Sequence, residues 1–162
     1  MDTEFRIRKM NDLQRELVSG LPIDNPDVKV GLIYFSDVMR SYDFIGDRKD
    51  LSALVFLNKD IERSGGTEFA IPLVWSHIAF ASEESSDFEK IVILLSDGEL
   101  SDVPSDSIAA KMLRDDGVRI YSVKIGGSVI GEQVLEKVSS PGGLFFDSGD
   151  LIKEIEKLGP CM

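Results

Sequence analysis

The chain has 162 residues, 43% of them hydrophobic, which suits one domain over residues 1–162 with a sizeable core and excludes a multi-domain reading. Its formal net charge is −11, which excludes a nucleic-acid surface built on clustered Lys and Arg and suits solubility, cation binding or a basic partner. Cys161 is the only cysteine, so an internal disulfide and a Cys-rich zinc centre are excluded as well.

Residues 2–19 carry Met10, Leu13, Leu17 and Val18 at helical spacing in a charged background, so they read as an amphipathic helix ended by Gly20 and Pro22. The first eight residues lack the apolar core of a signal peptide, and no apolar run approaches the roughly 20 residues of a membrane span; neither export nor a spanning helix is expected from this stretch. V-K-V-G-L-I-Y-F, residues 28–35, is β-rich with no charge after Lys29 and predicts a strand buried on both faces. Residues 39–45 alternate more openly and suit a strand at a sheet edge. Residues 49–61 return to helical spacing through Leu51, Leu54, Val55, Leu57 and Ile61 and stop at Ser64-Gly65-Gly66, a glycine-rich end.

A second helix is expected from about Thr67, with Phe69 and Trp75 read as core. Residues 83–89 form a polar loop, and the short apolar run 91–95 has the character of a central parallel strand. A helix over 105–116 closed by Gly117, a strand over 118–125, a helix over 130–138, a short strand over 144–146 and a helix over 150–158 complete the pattern. Strands alternating with helices imply βαβ units and an open, mostly parallel sheet, doubly wound in three layers with helices on both faces.

Ligands of such sheets bind beyond the carboxyl ends of the strands. Asp97 falls there, in I-V-I-L-L-S-D-G-E-L-S-D, between the small residues Ser96 and Gly98. It is a candidate acid or cation ligand; a turn-forming Asp-Gly with a local hydrogen bond explains it equally well. In S-G-G-T, residues 64–67, two glycines allow close backbone approach, and the Thr67 hydroxyl is either a ligand for a hard cation or simply a helix N-cap. His77, the only histidine, sits among Trp75, Ile78 and Phe80 and reads as a satisfied helix histidine, which leaves no Ser/His/Asp or Cys/His catalytic set. Glu99, Asp102 and Asp106 read as solvated loop charges.

Taken in order, V-K-V-G-L-I-Y-F-S, S-G-G-T, I-V-I-L-L-S-D-G and G-V-R-I-Y-S-V-K-I-G resemble the second strand, the metal-site threonine loop, the fourth strand with the metal-site aspartate and the fifth strand of von Willebrand factor type A domains. The resemblance runs from about residue 3 to residue 158. It implies a Rossmann-like fold and a non-enzymatic binding module of cell adhesion or extracellular matrix. In that family a Mg2+ or Mn2+ ion bridges the top of the sheet to an acidic residue of a protein ligand. Thr67 would then be a direct hydroxyl ligand and Asp97 a carboxylate ligand, direct or through water.

The family's first strand and its D-x-S-x-S metal motif have no counterpart in this sequence, where the nearest string, Asp50-Leu51-Ser52, falls within an expected helix. The resemblance therefore implies an incomplete metal-ion-dependent adhesion site, at which Thr67 and Asp97 alone hold a divalent cation weakly or not at all. It also implies that the second and fourth strands lack their common neighbour, so the sheet closes by direct pairing, a strand-sharing oligomer forms, or the chain is a truncated product; truncation is the expectation. Cys161 resembles half of a domain-flanking disulfide, which implies an extracellular or cell-surface parent protein. Two other readings stand beside this one. One is an intracellular, metal-independent scaffold of the same fold. The other is a haloacid-dehalogenase-like phosphatase suggested by S-D-G-E-L-S-D, where Leu95 occupies the position of the nucleophilic aspartate.

Overall fold

The computed structural model describes residues 3–35, 40–45, 48–57, 68–82, 88–96, 103–126 and 129–158. In chain order the elements are α1 (Thr3–Gly20), β1 (Val30–Tyr34), β2 (Arg40–Ile45), α2 (Arg48–Leu57), α3 (Ala70–Ser82), β3 (Ile91–Ser96), α4 (Pro104–Asp115), β4 (Arg119–Lys124), α5 (Val129–Val138), β5 (Leu144–Phe145) and α6 (Ser148–Lys157). They divide into two compact units. One runs from the start of the chain to Gly65 and resumes at Ser148; the other is Gly66–Asp147.

In the first unit the apolar line of α1 buries Leu13, Leu17 and Val18, as its spacing requires. Val18 joins Ile23, Leu51 and Val55 in one cluster, with Leu21, Val30 and Leu32 packed against it. β1 and β2 pair antiparallel, and the register shifts between Val30 and Leu32. Gly31 lies at that irregularity and is exposed, which fits the use of glycine at bulges. β1 is therefore half-buried rather than buried on both faces. Arg48 opens α2 and ties it to the end of α1: its guanidinium donates to the carbonyls of Val18 and Leu21, the latter at 2.8 Å.

The second unit is an α/β unit around the parallel sheet β3-β4-β5. β4 lies between its neighbours, and Ile120, Tyr121, Ser122 and Val123 are all buried, so a continuous apolar run is the physical signature of that position. β3 carries the same signature, yet among the described residues its one partner is β4. Gly117, at φ +79°, turns the chain from α4 into β4 as expected, since an L side chain at that φ is strained. Ser139 Oγ lies 2.7 Å from Ser122 Oγ and 2.6 Å from the Leu135 carbonyl oxygen. One hydroxyl has one proton, so Ser122 donates to Ser139 and Ser139 to Leu135, satisfying both buried groups.

Candidate functional site

The carboxyl ends of β3 and β4 meet at Ser96 and Lys124, which are register partners. Thr67 and Asp97, the expected cation ligands, lie outside the described residues, as do residues 64–66, Glu99, Asp102 and Cys161. What the structure describes is the frame that adjoins them. Ser96, immediately before Asp97, is buried, and its carbonyl accepts from the Ile125 amide at 2.8 Å; this bond continues the β3–β4 ladder one residue past the end of β4. Glu68 and Phe69 follow Thr67, and Phe69 begins α3 by accepting the first helical bond, from Leu73 N–H at 3.0 Å.

Asp106 ties the start of α4 to the start of α3. Pro104 starts α4, which places Asp106 in its first turn, and its side chain is only 1% exposed. Oδ1 accepts from the backbone N–H of Phe69 at 2.9 Å and of Ala70 at 2.8 Å. A carboxylate of α4 thus satisfies orphan donors at the start of α3, where the helix dipole favours negative charge. Asp106 is not the solvated loop charge expected from the sequence. Its position in a first turn was legible from Pro104, but the element it faces was not.

Further side chains can be set against the expectations. Phe69 is fully buried, but Trp75 is 44% exposed; Trp75 is not core, because the buried side of α3 is the one carrying Phe69 and Leu73. His77 Nε2 lies 2.5 Å from Asp116 Oδ2, so the histidine is partnered on the flank of α3 that borders α4. Lys124, which sequence reasoning passed over, keeps 10% side-chain exposure and meets Glu132 Oε2 of α5 at 2.6 Å. Farther off, at the opposite end of β4, Arg119 has its pKa raised by the Tyr121 side chain and then by Glu89.

Among the described residues no group of three or more His, Cys, Asp and Glu side chains is placed to hold a metal ion. Among the described residues the strand ends carry Ser96 and a lysine–glutamate pair whose ammonium is the better-buried member. A hard divalent cation requires several oxygen donors and is repelled by a fixed ammonium. The described donor set does not fit such an ion.

The chain is 28% identical over 153 residues to the human (Homo sapiens) collagen alpha-6(VI) chain, a match covering 91% of this chain and 7% of the collagen. It is 29% identical over 129 residues to Gallus gallus matrilin-1, covering 77% of this chain and 25% of the matrilin. It therefore spans a small part of the length of either relative. A solved structure of proximal thread matrix protein 1 from the mussel byssus, with a zinc-occupied MIDAS motif, is similar at a TM-score of 0.68 and 20% identity, over 97% of this chain and 42% of that one. The von Willebrand factor type A domain family matches residues 2–158, and the chain belongs to that family.

Proposed function

We propose that this chain is a protein-binding module of extracellular matrix or cell adhesion that does not depend on a tightly held metal ion. Its family is non-enzymatic in the collagen VI and matrilin relatives. The observation that carries the binding reading is the match to relatives of the matrix, over nearly the whole chain. The chain is of the doubly wound type, with helices on both faces of a mostly parallel sheet, and its parent protein is extracellular or at a cell surface. Thr67 and Asp97 are the remnant of a metal-ion-dependent adhesion site. Support for weak Mg2+ or Mn2+ binding comes from the Lys124–Glu132 pair at the strand ends, where the better-buried ammonium disfavours a further cation.

The partner is a matrix protein, and the edge of β3 is the place at which a strand from another chain would be shared. Surface-immobilised collagen preparations, probed with the folded chain in Mg2+ and again in EDTA, test the reading. Binding of equal strength in both is expected. A folded chain that binds no matrix protein in either buffer overturns the adhesion reading, whereas binding abolished by EDTA overturns only its metal independence.

A further inference from the structure

α3 contains no Asp, Glu, Lys or Arg from Ala70 to Ser82, and a helix that is apolar all round is normally covered on every side. Here only one side is covered. Phe69 and Leu73 are buried, while Ile71, Val74, Trp75 and Ile78 are 55%, 38%, 44% and 51% exposed. Those four fall at i, i+3, i+4 and i+7, so they form one contiguous stripe. α4 packs along α3, in the same direction, because Asp106 in its first turn holds the start of α3 and Asp116 at its end holds His77. Ile108, Met112 and Asp116 are spaced by four and share a line down α4. Ile108 and Met112 are 67% and 41% exposed, which extends the apolar surface across the groove between the helices.

The charges around this surface are mainly acidic. Glu68 stands exposed ahead of α3, and Asp115 and Asp116 close α4 with side chains 61% and 60% exposed. Both cations of α4 are engaged: Lys111 pairs with Asp115 at 2.5 Å, and Arg114 donates to carbonyl oxygens at the end of α5. A second copy of the chain would oppose like charges across such a contact, and each copy carries −11. We propose that the α3–α4 groove docks an amphipathic helix of a partner protein, whose apolar ridge lies along Trp75 and whose flanks carry Lys or Arg. Two adjacent, co-directional helices, α3 with exposed apolar residues at i, i+3, i+4 and i+7 and α4 with two at i and i+4, present the ridges and groove that suit a third helix. Trp75 is the aromatic anchor such interfaces favour. This inference does not rest on the metal-site reading.

Trp75 is the only tryptophan, so its fluorescence reports the groove directly. In the free chain its emission should be red-shifted and readily quenched by acrylamide at every protein concentration. A synthetic helical peptide with a leucine line flanked by lysines should shift the emission to the blue and shield it, with affinity falling at least about fivefold as salt rises through the range where the Debye length contracts. The same leucine line flanked by glutamates should not bind. Ile78→Glu and Ile108→Glu, both at exposed positions, should each weaken the lysine peptide about tenfold or more, equivalent to about 1.4 kcal/mol, with circular dichroism unchanged. Both variants add negative charge, so undiminished or tighter binding by them would show attraction by charge alone and overturn the proposal. It is equally overturned if Trp75 is shielded in the free chain, if shielding grows with protein concentration as a second copy covers the groove, or if the lysine peptide leaves the emission unchanged.

Discussion

Asp106 shows how one buried side chain can join two helix starts that are far apart in the sequence. Its carboxylate accepts two backbone N–H groups at the start of α3, two and three residues beyond Thr67, and it belongs to the helix that follows the Asp97–Asp102 segment. Replacing it with Ala leaves those donors without this acceptor in a buried setting; hydrogen bonds to ionised groups are worth about 1.5–3 kcal/mol, and a loss near the upper end is expected for Asp106→Ala. Asp106→Asn keeps a carbonyl oxygen of the same reach and should lose about half as much. Urea denaturation of the three proteins gives the ranking, and amide exchange at Phe69 and Ala70 should quicken in the order wild type, Asn, Ala. Equal exchange in all three would remove the role assigned here. A second residue-scale test is steric: a Cβ on Gly143 would stand 2.7 Å from the Ile120 carbonyl oxygen and 2.9 Å from that of Ser140. Both are backbone atoms of the sheet and its turn and have little room to yield. Gly143→Ala should therefore cost about 1–3 kcal/mol, as overpacking does, with a matching fall in the thermal midpoint.

At the scale of elements, two arginines act as caps supplied from outside the helix they serve. Arg114, in the last turn of α4, donates from Nη1 to the Val138 carbonyl oxygen at 2.5 Å, and more distantly to those of Lys137 and Ser139, at the end of α5. Arg48 does the same for the end of α1. Cations are favoured at helix carboxyl ends, and the planar fork of arginine lets Arg48 donate from Nη1 and Nη2 to two separate carbonyls at once. Arg48→Ala should cost about 2 kcal/mol, and Arg48→Lys should restore less than half of that; full rescue by lysine in a denaturation series would mean that charge alone matters. These caps also mark where sequence reading stops. The periods of α1, α4, α5 and α6 were legible because each has one wet face and one dry face. The β4 run was legible because burial on both faces removes its charges. In α3 the rule misled: an uncharged helix reads as core throughout, and nothing local says that Ile71, Val74, Trp75 and Ile78 are left uncovered. Similarly, V-P-S-D announces a helix start, but the partner of Asp106 lies 36 residues away, beyond the reach of any local pattern.

For the whole molecule the dominant long-range term is the net charge of −11. Self-repulsion of that size opposes compaction and is weakened by any salt, since the Debye length falls from about 30 Å at 0.01 M to about 3 Å at 1 M. The urea midpoint should therefore rise with ionic strength whatever the cation. A specific site behaves differently: a ligand that binds only the folded state stabilises it by RT ln(1 + [L]/Kd), about 4.1 kcal/mol at a thousandfold excess over Kd. Ten millimolar Mg2+ would be such an excess for a site with a Kd of about 10 μM. On the proposed reading of Thr67 and Asp97 as a remnant site, with the Lys124 ammonium at the strand ends, Mg2+ should give nothing of that size. Denaturation in MgCl2 and in NaCl, matched for ionic strength, should then yield the same midpoint to within a few tenths of a kcal/mol, and EDTA should leave it unmoved. A gain of several kcal/mol confined to Mg2+ or Mn2+ would mean that the oxygen ligands are more numerous than the sequence indicates and that the adhesion site is complete.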